Sequence, residues 1–151
     1  MKESRQHSIE VFAGDGNIEE LKNLFELGYT QLEIDAALEN AIAYSQINTA
    51  EYLLSLGADL SNYGYQGVYY AVHNNELEGL RFAITCGVDI DVNNGMPLNE
   101  SIMTATNTKD NGLVQWLLDN GANPNLLTEE SLRLVDRYGS DELKKIIKNA
   151  Q

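Results

Sequence analysis

One small hydrophobic pattern is written five times along this chain, and it constrains the fold more than any other feature. Leu21, Leu24 and Phe25 recur as Ala50, Leu53 and Leu54, then as Leu80, Ala83 and Ile84. They recur again as Val114, Leu117 and Leu118, and finally as Leu143, Ile146 and Ile147. Each triplet has i, i+3, i+4 spacing, which puts three side chains on one stripe of a helix. The copies sit 29, 30, 34 and 29 residues apart. A period in that range predicts helical units stacked side by side, and such a stack makes a binding surface more readily than an active site.

Each triplet lies on a second helix that a first helix precedes. Leu38–Gly57 has the same length as Ile9–Gly28 and Val68–Gly87, and all three close on a glycine after the last apolar turn. That is the position of a left-handed helix cap. Ala13, Ala41, Ala71 and Ser101 place small side chains mid-way along the first helices, where two antiparallel helices must approach closely. After each closing glycine comes a polar, extended segment: Ala58-Asp-Leu-Ser-Asn-Tyr-Gly, Val88-Asp-Ile-Asp-Val-Asn-Asn-Gly and Ala122-Asn-Pro-Asn.

These segments resemble the helix-to-finger junctions of ankyrin repeats, and Gly95-Met-Pro-Leu-Asn99 resembles the Gly-x-Thr-Pro-Leu-His start of the next first helix. The resemblance covers roughly residues 7–150, with the spacing kept and the letters degenerate. It implies an all-α, ankyrin-like solenoid of about five helix-turn-helix repeats, with short finger loops or hairpins between them. The units fall at about 7–28, 36–57, 66–87, 96–121 and 128–150 of a single domain spanning 1–151. One column of the second helices reads Asn23, Tyr52, Phe82, Trp116, Lys145, aromatic in the inner units and polar at both ends. Polar outer faces are what capping repeats need, so the stack is expected to carry both of its ends. The irregular spacing of 34 points to extra residues in Thr104–Asn111, read from their polarity as a longer turn between the two helices of unit four.

The formal charge is −13. Residues 1–60 carry 11 acids and three bases, residues 61–100 five acids and Arg81, and residues 101–151 seven acids and six bases. A field this negative repels phosphates, which argues against nucleic-acid or anionic-membrane binding, and it attracts a basic protein. The same acids are also explained as solvated helix faces that keep the chain soluble. No stretch is long and apolar enough for a membrane helix or a signal peptide, and the lone Cys86 has no internal partner, so a reducing cytoplasm is expected.

The ankyrin resemblance implies that fingers and first helices line a concave binding surface. Four of the eight tyrosines fall there, at Tyr63, Tyr65, Tyr69 and Tyr70. The expected partner-binding residues are Tyr44, Tyr63, Tyr65, Tyr70, His73, Asn74 and Glu100, with Glu39 and Glu76 as further carboxylates around the aromatic patch. Tyrosine gives a large rigid ring with a hydrogen-bonding tip, suited to an interface centre. Tyr69 can instead brace the finger backbone, and all four rings could pack on neighbouring helices.

Chemistry is thin elsewhere. Asp89, Asp91, Asn93 and Glu100 stand at positions 1, 3, 5 and 12 of a calcium-loop pattern, but glycine comes one place late and position 9 is Pro97. The repeat register explains the same residues without a metal. Cys86 reads as a small buried hydrophobe, His7 and His73 fall in different units, and Gly14-Asp-Gly16 lacks the rest of a phosphate loop. The chain is read as a monomeric non-enzyme that needs no cofactor and binds a basic protein. Two roles stay open: an adaptor, or an acidic immunity-type inhibitor that blocks a toxin or enzyme. A calcium-dependent module is a distant third.

Overall fold

The computed structural model describes residues 2–151; Met1 and the side chains of Lys2, Glu3 and Ser4 lie outside it. The helices are α1 (Lys2–Asp15), α2 (Ile18–Phe25), α3 (Gln31–Ala43), α4 (Ile47–Ser55), α5 (Asn62–His73) and α6 (Leu77–Thr85). They continue as α7 (Val92–Thr108), α8 (Gly112–Asp119), α9 (Glu129–Tyr138) and α10 (Asp141–Ala150), with one turn of 3-10 helix at Pro124–Leu126. Each even-numbered helix folds back on the helix before it. The odd-numbered helices pack in sequence, α1 on α3, α3 on α5, α5 on α7 and α7 on α9. The result is an all-α solenoid whose first helices form one layer and whose second helices form the other.

The five triplets face the core, in two versions. In the three inner units the first two members are buried and the third is half-buried: Ala50 and Leu53, Leu80 and Ala83, Val114 and Leu117. In the end units the first and third are buried instead, Leu21 and Phe25, Leu143 and Ile147. The buried core falls into two clusters that meet at α5, where Ala71 belongs to the N-terminal one and Val68 and Val72 to the C-terminal one, with Leu60 packed against both. The aromatic column behaves as its composition predicts. Tyr52, Phe82 and Trp116 are half-buried against the core, and Asn23 and Lys145 are exposed.

The turns inside the units repeat a hydrogen-bond pattern. Gly16 N–H donates to Ala13 O and Asn17 N–H to Phe12 O; Ser45 and Gln46 donate to Ile42 and Ala41, and Asn75 and Glu76 to Val72 and Ala71. Gly16, Ser45 and Asn75 accordingly take left-handed φ values of 75°, 58° and 58°. This alignment corrects one expectation. Ala13 is buried but stands opposite Ile42 and Val72, so Phe12, not Ala13, corresponds to Ala41 and Ala71. Close helix approach is most severe at Gly79, where a Cβ would meet the carbonyl oxygen of Ile42.

Two connections differ from the expected form. The insertion in unit four is helical: α7 runs on through Thr108, and the turn that follows, Lys109–Asn111, is no longer than Tyr44–Gln46 or Asn74–Glu76. Its hydroxyls are satisfied internally, Thr106 Oγ1 on Met103 O and Thr108 Oγ1 on Thr104 O, while Thr104 Oγ1 also reaches Val72 O at 2.8 Å. The fingers are not hairpins, since no strand occurs among the described residues. Between units one and two, α3 itself begins at Gln31, capped by Thr30 and Glu33 in a reciprocal box. Ahead of the regular parts of α5 and α7 the chain makes left-handed turns, Tyr63-Gly64-Tyr65 and Asn93-Asn94-Gly95.

Candidate functional site

Five of the expected binding residues, Tyr44, Tyr70, His73, Asn74 and Glu100, lie together along the first helices α3, α5 and α7 and their ends, and α5 supplies the centre. Positions three and four apart share a helix face. Tyr69, Tyr70 and His73 therefore cluster: Tyr69 stacks on His73 at 5.9 Å between centroids, and Tyr70 meets Tyr69 edge-on at 5.3 Å. His73 Nδ1 lies 3.0 Å from Glu100 Oε1 on α7, joining units three and four. The charge of Glu100, with burial and Tyr70 adding, pushes the Tyr69 phenol above its ordinary pKa. Tyr69 is half-buried and braces this cluster, whereas Tyr70 is 40% exposed.

On the N-terminal side of this cluster lies a groove of about 460 Å³, lined by Glu10 of α1, by Glu39, Asn40, Ala43 and Tyr44 around α3, and by Gln66, Tyr70, His73 and Asn74 around α5. Tyr44 is 50% exposed and also borders a second depression with His7 and Val11. Asn74 sits beside it, its Nδ2 donating to Ala43 O at 3.2 Å. Glu39 is half-buried. Burial pushes its carboxyl above the usual carboxylate range; the 2.7 Å hydrogen bond from Asn62 Nδ2 opposes this, and the charges of Asp35 and Glu10 add to it. A further depression, lined by Met96, Glu100, Met103 and Glu130, continues the face toward α9.

The structure thus brings Tyr44, Tyr70, His73, Asn74 and Glu100 onto one face. Tyr63 and Tyr65 part company. Tyr63 is 67% exposed at the head of α5, while Tyr65, two residues on, is half-buried and packs against the C-terminal core, which is the packing alternative rather than the partner-binding role expected of it. Glu76 lies at the N-terminus of α6 and does not border the groove. Glu10 does, and the register points to it: Glu10 precedes Glu39 by the 29 residues that separate Leu21 from Ala50.

Several acids are structural stitches. Asp35 Oδ1 in the first turns of α3 accepts from Asp59 N at 2.8 Å, and Asp91 Oδ1 at the head of α7 from Asn123 N at 2.9 Å, each tying a first helix to the connection that follows its unit. The calcium-like pattern is divided the same way. Asp89 accepts from Asp91 N, Asn93 Nδ2 donates to Gly64 O, and Glu100 pairs with His73, so its residues point to separate partners. Among the described residues no three His, Cys, Asp or Glu side chains are grouped to hold a metal ion. Cys86 corrects another expectation. It is exposed at the C-terminus of α6, and partial burial of its sulfur together with the charge of Glu51 pushes the thiol pKa up, which disfavours the reactive thiolate. Among the described residues no helix is long and apolar enough to cross a membrane.

No protein-family model matches the sequence, and a search of curated proteins finds no match. Among solved structures, the chain is similar to an ankyrin repeat domain from Acinetobacter baumannii, with 22% sequence identity over 95% of this chain and 97% of that one, at a TM-score of 0.50. At this identity the likeness is one of fold: a helical, ankyrin-like solenoid.

Proposed function

We propose that the chain is a non-enzymatic protein-interaction module that binds a basic protein through the exposed face of its first helices and the left-handed turn at Tyr63. The observation that carries this reading is Tyr63 itself. Its backbone is left-handed, φ 49° and ψ 45°, a conformation that costs a non-glycine residue about 1–2 kcal/mol. In the following unit the equivalent place is held by Asn93, a residue that tolerates the conformation. A large aromatic ring held there at 67% exposure contributes little to packing, and strain of this kind concentrates where function requires it. The groove is lined by the carboxylates of Glu10 and Glu39 and by no lysine or arginine, and Glu100 stands next to it on His73, which suits a cationic surface.

Of the two roles, inhibition of a basic target, such as a toxin that acts on nucleic acid, draws on the acid-lined face and the −13 charge. Affinity capture from the native host, read by mass spectrometry, tests the module. The partner retained by the wild type should be lost by Tyr63→Asn and by Tyr70→Ala, and kept by Lys145→Ala on the opposite layer. Capture that survives both inner-face changes overturns the reading. One-to-one binding that abolishes the partner's activity marks an inhibitor; binding without such an effect marks an adaptor.

A further inference from the structure

The groove between α3 and α5 has a chemistry narrower than general acidity. Two kinds of group meet in its lining: the carboxylates of Glu10 and Glu39, and the exposed rings of Tyr44 and Tyr70. Its two asparagines are anchored to the helix backbone with their acceptor oxygens unused: Asn40 Nδ2 donates to Ala36 O at 3.0 Å and Asn74 Nδ2 to Ala43 O, and among the described residues no donor is bonded to either Oδ1. Glu39 accepts one hydrogen bond, from Asn62, and no described cation pairs with it or with Glu10. The desolvation that raises the Glu39 pKa is the cost of holding a carboxylate here without a counter-charge.

The groove is open to solvent along its length, and its roughly 460 Å³ is room enough for one long side chain to lie in it. What fits is flat, cationic and rich in donors. A guanidinium presents five N–H donors in a plane and stacks on aromatic faces, whereas an ammonium is a compact point charge that does neither as well. We propose that this groove receives an arginine side chain of the protein partner, its guanidinium set against Glu10 and Glu39 and flanked by Tyr44 and Tyr70. This inference rests on the reading of the inner face as the binding face, and narrows it to one anchor. The arginine's charge would offset the mutual repulsion of Glu10, Asp35 and Glu39, so the groove becomes less strained electrostatically when filled.

The test uses the intact chain and a defined probe. Acetyl-Gly-Arg-Gly-amide is titrated against isotope-labelled protein at about 0.15 M salt, beside the matching lysine tripeptide, with resonance shifts followed by NMR. Shifts should concentrate at residues 10, 39, 40, 44, 66 and 70. The arginine peptide should bind roughly threefold more tightly than the lysine peptide. A Glu10→Gln, Glu39→Gln double variant, which keeps the shape and the Asn62 hydrogen bond, should weaken it by about fivefold or more. Shifts spread over the acidic surface, equal binding of the two peptides, or unchanged affinity in the double variant would each overturn the proposal. If the double variant does not fold, Tyr70→Leu supplies the same comparison. Partner capture lost through Tyr63→Asn concerns the face as a whole, so the face can stand even where the tripeptide shows the groove to be empty.

Discussion

Tyr63 and Asn93 occupy equivalent places with nearly the same backbone, φ 49° and 53°, and they show how one residue can serve binding at the expense of folding. Asn93 is suited to the left-handed region and uses its side chain to tie Gly64 O at 2.8 Å, so the two turns lock together. Tyr63 offers the fold no comparable bond. Tyr63→Asn should therefore raise stability by about 0.5–1 kcal/mol, measured by urea unfolding, while removing partner capture. A variant that lost both would mean the ring is part of the core. Gly79 shows the opposite constraint, since it lies where α6 crosses the end of α3. A Cβ there would overlap Ile42 O, and the amide of Gly79 already donates to Ser45 Oγ at 2.8 Å. Gly79→Ala should cost about 2 kcal/mol or more, because the helices must separate. Nothing in the sequence around Gly79 marks it as obligatory, because the carbonyl that demands it stands 37 residues earlier.

Among the elements, one polar side chain braces α1, α2 and α3 beyond their shared core. Arg5 Nε donates to Glu33 Oε2 at 2.6 Å, Nη1 to Leu24 O at 3.2 Å and Nη2 to Gly28 O at 3.1 Å, joining the end of α2 to the start of α3. The hydrogen bond from Arg5 holds the Glu33 carboxyl below its usual range; burial opposes it, and Thr30 assists. Folded Glu33 thus binds fewer protons than unfolded Glu33 between its lowered pKa and the ordinary one. The brace contributes fully above the ordinary value and is lost as pH falls through the lowered one. Arg5→Met should cost about 1 kcal/mol at neutral pH, and its deficit against wild type should shrink as pH falls well below about 4. Denaturant curves at both pH values check this. The extra turn of α7 shows where local signals mislead. Thr104–Thr108 is polar and β-branched, which reads as loop, yet Thr104 finds an acceptor on α5 and its neighbours bond back into their own helix. A hydroxyl's partner on another helix leaves no trace in the local sequence.

Over the whole molecule the charge is uneven, with nearly all of the −13 carried by the first 100 residues. The acceptor-lined groove lies in that part, between units one and three. A basic partner should be steered toward it, so its association rate should fall about tenfold between roughly 0.05 and 0.5 M salt while dissociation changes less. A salt-independent association rate, measured by stopped flow, would remove electrostatic steering from the account. The five helix pairs, their apolar stripes and the polar-ended aromatic column were all determined by the sequence alone, because periodicity within one unit is a local property that each repeat restates. The tertiary structure decided that Tyr63 faces solvent while Tyr65 turns to the core, that Glu10 joins Glu39 in one groove, and that Cys86 is exposed. Each of those depends on what stands about 30 residues away in the neighbouring unit, a contact that the repeat sets in register but whose geometry no single unit encodes.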